Sequence, residues 1–230
     1  MIRIVLVEPQ EAGNVGAAAR VMKNFGHRDL WIVGKHPNLH PLAGWWASGA
    51  DDVVAAARFT DSLAEALDDA HVTIATTSSR GRTTPVDLTP RGVSGIASRL
   101  TSDQTLALVF GRENSGLTRD EVVMCQRTAS APTHPDFPTM NLAQTVGIFC
   151  YELSSITPAE RSRDLPPAGL VERLHKRAEA LLLDVGFLHA NNPDRIYDDV
   201  RAMLGRADLD EREVKILLGI LRQVEWKLRQ

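Results

Sequence analysis

Cysteine is almost absent from this chain: Cys125 and Cys150 are the only two among 230 residues. Two thiols build no disulfide framework, and four of the seven histidines lie far from them without ligand spacing, so free buried thiols and no metal are expected. Long apolar runs are missing too, since nothing approaches the ~20 residues that a membrane-spanning helix needs. The opening MIRIVLVEP is a short β-branched run that meets an acid and a proline at once, where an export signal has a charged start and a longer apolar core. A cytoplasmic protein is the expectation. Neither sign of charge is in excess, because 26 Lys and Arg face 29 Asp and Glu for a net charge of −3. That excludes a surface that attracts polyanions as a whole and leaves only local contacts to nucleic acid. Arginines gather at Arg80 and Arg82, at Arg112 and Arg119, and at Arg161 and Arg163, although each pair also reads as a solvated loop or helix face.

What is present suits a soluble globule, with 43% hydrophobic and 24% charged residues in a chain long enough to bury a sizeable core. Five apolar, β-rich runs recur with helix-like stretches between them: IRIVLV, LWIVG, HVTIATT, LALVFG and TASAP. Nearly continuous apolar strands, each followed by a helix-like segment, predict a parallel sheet covered by helices on both faces, an α/β fold. Leu63, Ala66, Leu67 and Ala70 follow the i, i+3, i+4, i+7 spacing of one such helix. The composition changes at TPAERSRDLPPAGL, whose three prolines suit an exposed connection over 157–169. It would join a first unit, 1–156, to a helical extension, 170–230. In the extension Leu170, Leu174, Ala178, Leu181, Leu182 and Val185 mark one helix, and Asn192 with Pro193 opens a second. Asp210 and Glu213 have capping-box spacing ahead of a third. Three short helices make no large core alone, so they should pack on the first unit or on a partner subunit.

The first turn, EPQEAGNVGAAAR, matches neither usual nucleotide fingerprint: G-x-G-x-x-G is not met and the Gly-Lys-Ser/Thr of a P-loop is lacking. If a helix starts near Asn14, Arg20 stands four residues after Gly16 on the same face, and helical side chains lean toward the N-terminus. Arg20 is then able to extend over bare backbone at Gly16 toward a helix mouth that favours anions, such as a phosphate. An arginine paired to a surface carboxylate is the other reading.

Two further segments bear on that choice. LALVFGRENSGLT puts Gly111, Glu113, Asn114 and Gly116 directly after a strand, where open α/β sheets bind ligands. HPDFPTMNLAQTVGIFCYEL runs from a proline-rich loop through Thr139 and Asn141 into a helix, and both residues also read as simple caps.

Together, in this order and spacing, these segments resemble the three motifs of the SpoU-type branch of the SPOUT RNA 2'-O-ribose methyltransferases, across about the first 155 residues. The tail, through LLLDVGFLHANNPDRIYDDVRAML and EVKILLGILRQVE, looks like the helical extension of the TrmJ-type tRNA methyltransferases. The resemblance implies a deep trefoil knot at the carboxyl end of the catalytic domain, S-adenosyl-L-methionine as cofactor, and a homodimer with active sites between subunits. It implies as substrate the ribose 2'-hydroxyl of the nucleotide opening the tRNA anticodon loop. A ribosomal RNA methyltransferase of the same class and a knotted RNA-binding factor without transfer activity are the alternatives.

Methyl transfer to a hydroxyl asks the protein to align donor and acceptor and to stabilise the developing alkoxide. By the resemblance, Arg20 is the cation at the hydroxyl, Asn14 shares its turn, and Glu113 orients Arg20 by a bidentate pair. Thr139 stands where the family commonly has serine, and Asn141 matches unchanged. Backbone near Thr77, Ser78, Gly111, Ala131, Met140 and Leu142 is expected to hold the cofactor. Arg82, Arg80 and Lys23 are the expected RNA contacts.

Overall fold

The apolar runs pair into one parallel sheet in a computed structural model, which describes residues 1–78, 86–160, 163–189 and 193–230. Strand β1 (Ile2–Val7) leads through α1 (Ala12–Asn24) to β2 (Asp29–Val33), followed by α2 (Leu42–Ala47), α3 (Asp51–Ala55), β3 (Arg58–Thr60) and α4 (Leu63–Leu67). The chain then crosses over through β4 (Val72–Thr76), α5 (Pro90–Ala97), β5 (Leu106–Phe110), α6 (Arg119–Val123), β6 (Arg127–Ala129) and α7 (Leu142–Leu153). The order across the sheet is β3-β2-β1-β5-β4-β6 with every pair parallel.

Alternate side chains of β1 serve opposite faces, as the strand period requires. Ile4 and Leu6 join Val15, Ala19 and Met22 of α1 and Phe149 of α7 in one core. Val5 and Val7 join Leu63 and Leu67 of α4 and Val122 of α6 in the other. Both faces are therefore covered, which is why the strands lack a polar side. Arg3 breaks the apolar run of β1 without being at the surface: it is 1% exposed and pairs with Asp29 at 2.9 Å and Asp69 at 2.5 Å. No apolar run marks β3, because Arg-Phe-Thr is short, charged and largely exposed at the sheet edge.

The tail forms α8 (Ala168–Asp184), α9 (Pro193–Arg206) and α10 (Glu211–Leu228). The capping box is made: the Glu213 amide donates to Asp210 and the Asp210 amide to Glu213, both at 2.8 Å. Asn192, expected as a cap, lies outside the described residues. Leu170, Leu174 and Val214 make only a small core of their own. The three helices dock on the sheet unit of the same chain. The Ala168 and Gly169 amides donate to the carbonyls of Ala70 and Asp68 at 2.7 and 3.0 Å, and Arg127, the first residue of β6, pairs with Asp208 at 2.7 Å. No helix among the described residues is long and apolar enough to cross a membrane.

Within the tail, Tyr197 donates its hydroxyl proton to the His175 carbonyl at 2.5 Å, which leaves its oxygen to accept from His175 Nδ1 at 3.3 Å. Burial, helped by the nearby Arg201 charge, pushes His175 down from 6.5 to about 4, against the opposing pull of Glu172. The folded chain thus binds this proton more weakly than the unfolded chain, so the stability is whole above the unfolded value and drains away as pH falls toward 4. Urea unfolding between pH 7 and 4.5 is expected to show a loss of about 2 kcal/mol that His175→Gln removes from the pH slope. An unchanged slope in the variant refutes the assignment.

Candidate active site

Strands β1 and β5 are neighbours, so the loops at their carboxyl ends, from Glu8 to Glu11 and from Gly111 to Thr118, lie side by side. Between them runs a chain of side-chain hydrogen bonds that ends on α7. Asn141 caps α7: its Oδ1 accepts from the amides of Ala143 and Gln144 at 2.9 and 3.3 Å. That fixes which end of this amide is oxygen. Its Nδ2 therefore donates to Asn14 Oδ1 at 2.9 Å, and Asn14 Nδ2 in turn donates to Glu113 at 2.9 Å. Glu113 also accepts from the backbone amides of Gln10 and Glu11 at 2.8 and 3.2 Å. Asn14 is thus locked in one orientation by residues 99 and 127 positions further along the chain.

This geometry corrects two expectations. Glu113 does not pair with Arg20, because its two oxygens are taken by the amides ahead of α1 and by Asn14. The mouth of α1, expected to receive a phosphate, is filled by that carboxylate, the anion that a helix N-terminus favours. Nor is the backbone at Gly16 bare. The helix starts at Ala12, and a β-carbon at Gly16 would stand 2.0 Å from the Ala43 carbonyl oxygen, so α2 rests directly on it. Arg20 is exposed and forms no ion pair with any described residue, so the alternative reading as a surface-paired arginine is not met either.

The loop after β5 is closed on itself. The Gly116 amide donates to the Arg112 carbonyl at 2.8 Å, and a β-carbon at Gly111 would lie 2.2 Å from both the Gly116 carbonyl carbon and the Leu117 nitrogen. Only glycine permits that approach. Arg112 pins the loop from beneath, with a bidentate pair to Glu121 at 3.0 Å on both arms and a third bond to Glu8 at 2.7 Å. The pair holds Arg112 above its ordinary value, and Glu121 stays below the usual carboxylate range although burial opposes it. Arg112 stood out in the sequence only as one of two nearby arginines; the structure makes it the brace of the site.

These loops border a cavity of about 190 Å³ at the carboxyl ends of β4, β5 and β6. Thr77, Ser78, Gly111, Ala131, Met140 and Leu142, the six expected cofactor residues, all line it, as do Glu113 and Thr139. Phe110 and Phe149 form its apolar floor, edge to face at 5.8 Å. The Leu142 amide opens α7 and has no protein partner among the described residues, so it offers a donor to a ligand. Arg20 and Lys23 are not part of this lining. Lys23 is instead tied to Gly49 at 2.8 Å and to Asp52 at 2.7 Å, which with Arg28 holds the Asp52 carboxyl at about 2. Arg80 and Arg82 lie outside the described residues. Cys125 and Cys150 are both free, and burial pushes each thiol up to about 12. Among the described residues no cluster of His, Cys, Asp and Glu is able to hold a metal ion.

Comparison with known proteins agrees with this picture. The pattern of the SpoU rRNA Methylase family matches residues 1–151, and that of the tRNA methyltransferase TrmJ C-terminal domain matches residues 170–230. The tRNA (cytidine/uridine-2'-O-)-methyltransferase TrmJ of Cronobacter sakazakii is 34% identical over 237 residues, covering 97% of this chain and 96% of that one. The crystal structure of TrmJ from Z. mobilis ZM4 superposes with a TM-score of 0.86 at 31% identity, over 98% of this chain and 99% of that one. The SpoU methyltransferase AviRb from Streptomyces viridochromogenes, solved in complex with the cofactor AdoMet, shares the fold at a TM-score of 0.53 and 19% identity, over 67% of this chain and 59% of that one.

Proposed function

Since the chain belongs to the SpoU methylase family and carries the TrmJ C-terminal domain behind it, we propose that it transfers a methyl group from S-adenosyl-L-methionine to a tRNA ribose 2'-hydroxyl. The nucleotide in this reading is the one that opens the anticodon loop, tRNA position 32. The observation that carries it is the hydrogen-bonded chain from Glu113 through Asn14 to Asn141 beside the cavity, because it makes one site of all three motifs.

The residues fit the cofactor on this structure's own terms. An adenosyl group wants apolar walls and a few fixed donors, and Phe110, Phe149 and the Leu142 amide supply both. When bound, the cofactor supplies an electrophilic methyl carbon on a sulfonium. Backbone near Thr77, Ser78, Gly111, Ala131, Met140 and Leu142 would hold it. Glu113, Asn14 and Asn141 set the angle between the α1 turn and the start of α7, and so the place where an acceptor oxygen is received. Arg20 stabilises the alkoxide that develops there and orients the adjoining phosphate.

Arg20 is exposed and does not line the cavity of its own subunit, which suits a homodimer in which each site is completed by the second copy. The trefoil threading of the segment before α7 and a cytoplasmic setting belong to the same reading. Domain limits follow it too: a catalytic unit over 1–156, a connection over 157–169 and an extension over 170–230.

Incubation with tritiated S-adenosyl-L-methionine and total RNA, followed by nucleoside mapping, is expected to place label in 2'-O-methylated pyrimidine at the start of the anticodon loop. Label confined to ribosomal RNA overturns the substrate, and absence of label from every RNA overturns the reading as a whole.

A further inference from the structure

Two indoles stand in the open next to this site. Trp45 is 71% exposed and Trp46 61%, although both belong to a helix whose other face is fixed: Ala43 and Ala47 are fully buried, and Ala43 rests on Gly16 of α1. Trp46 lies over the turn that carries the site. A β-carbon at Gly13 would meet its Cδ1 and Nε1 at 3.1 Å, and the next residue is Asn14, bonded to both Glu113 and Asn141. By helix periodicity Gly13, Gly16 and Arg20 share one face of α1, so the indole and the unpaired cation lie along the same side of the helix.

Exposed tryptophan on a rigid support is costly to leave in water, and the surroundings indicate what covers it. From Leu30 to Ala50 the chain has no carboxylate, while it holds Lys35, His36 and His40, all exposed; the next acid, Asp51, sets an oxygen 3.2 Å from where a β-carbon at Gly44 would stand. Exposed indoles on a segment that carries Lys35, His36 and His40 are complementary to unpaired nucleotides, whose bases stack on indoles while their phosphates seek positive charge. A second copy of the chain fits less well. The two indoles are far smaller than the ~1,200 Å² that a stable interface buries, and their neighbours Lys35, Asn38 and His40 are polar and exposed.

Resting on the functional reading above, we propose that Trp45 and Trp46 form a stacking platform for unpaired bases flanking the target nucleotide of the RNA substrate. Trp46, beside Asn14, receives the nearer base.

The test measures binding of a fluorescently labelled anticodon stem-loop RNA by anisotropy, together with KM for tRNA and for S-adenosyl-L-methionine, in the parent chain and in Trp45→Ala, Trp46→Ala and Trp46→Phe. Trp46→Ala is expected to weaken RNA binding and raise KM for tRNA on the order of tenfold, with KM for the cofactor and the molecular mass by light scattering unchanged. Trp46→Phe, which keeps a stacking face, recovers most of the loss. RNA binding within about twofold of the parent in both alanine variants overturns the platform. So does a change in oligomeric mass, which would assign the indoles to contact between copies. A parent that binds the stem-loop but transfers no methyl group sinks the functional reading alone, and the alanine variants then decide the platform by binding.

Discussion

Arg20→Ala is expected to leave the fold and cofactor binding intact and to lower kcat for methyl transfer by ~10²–10³-fold, the usual cost of removing one preorganised group that stabilises a developing oxyanion. The first half follows from the structure. The side chain is exposed, lies outside the cavity and supports no hydrogen bond among the described residues, so its truncation leaves nothing unsatisfied. The second half follows from chemistry, because a ribose hydroxyl is a poor nucleophile until charge at its oxygen is stabilised, and a fixed guanidinium does this without itself ionising. Arg20→Lys keeps the charge and loses the fork, so it should retain only part of the activity. Calorimetry with S-adenosyl-L-methionine beside single-turnover transfer separates the two halves. Transfer at the parental rate in the alanine variant refutes the role.

Gly111→Ala is expected to disable the site from the other side. The new methyl group would stand 2.2 Å from backbone atoms of Gly116 and Leu117, and backbone cannot swing away as a side-chain tip does. Either the loop opens or β5 shifts. Opening pulls Arg112 from its bonds with Glu8 and Glu121 and draws Glu113 off the mouth of α1, so the amides of Gln10 and Glu11 and the Asn14 side chain lose their acceptor together. Overpacking and orphaned donors each cost about 1–3 kcal/mol, and a loss of ~3 kcal/mol corresponds to a melting temperature roughly 6–12 °C lower in a chain of this size. Because Gly111 also lines the cavity, affinity for S-adenosyl-L-methionine should fall by more than about tenfold, a further 1.4 kcal/mol. Parental melting and affinity in this variant would show that the loop does not close as described.

Much of this was legible before any coordinates. The nearly continuous apolar runs of β1 and β5 required a sheet buried on both faces, since a strand with a wet side alternates. The Asp210 and Glu213 spacing required a helix start, because capping is local chemistry among residues three positions apart. The six residues that the resemblance implied for the cofactor are among those that line the cavity. What stayed hidden was whatever depends on distance along the chain. Arg3 reads as a charge interrupting a strand, yet it is buried because Asp29 and Asp69 arrive from elsewhere to neutralise it. Glu113 looks like the natural partner of Arg20 when both are only motif letters, and Gly16 looks bare until α2 comes down on it. Sequence by itself therefore determined the class of fold and a helix start such as that of α10, since propensity, periodicity and capping act over a few residues. Only the tertiary structure decided which carboxylate meets which cation and which glycine is covered, because a hydrogen bond or a van der Waals contact between residues a hundred positions apart exists only once the sheet has brought their loops together.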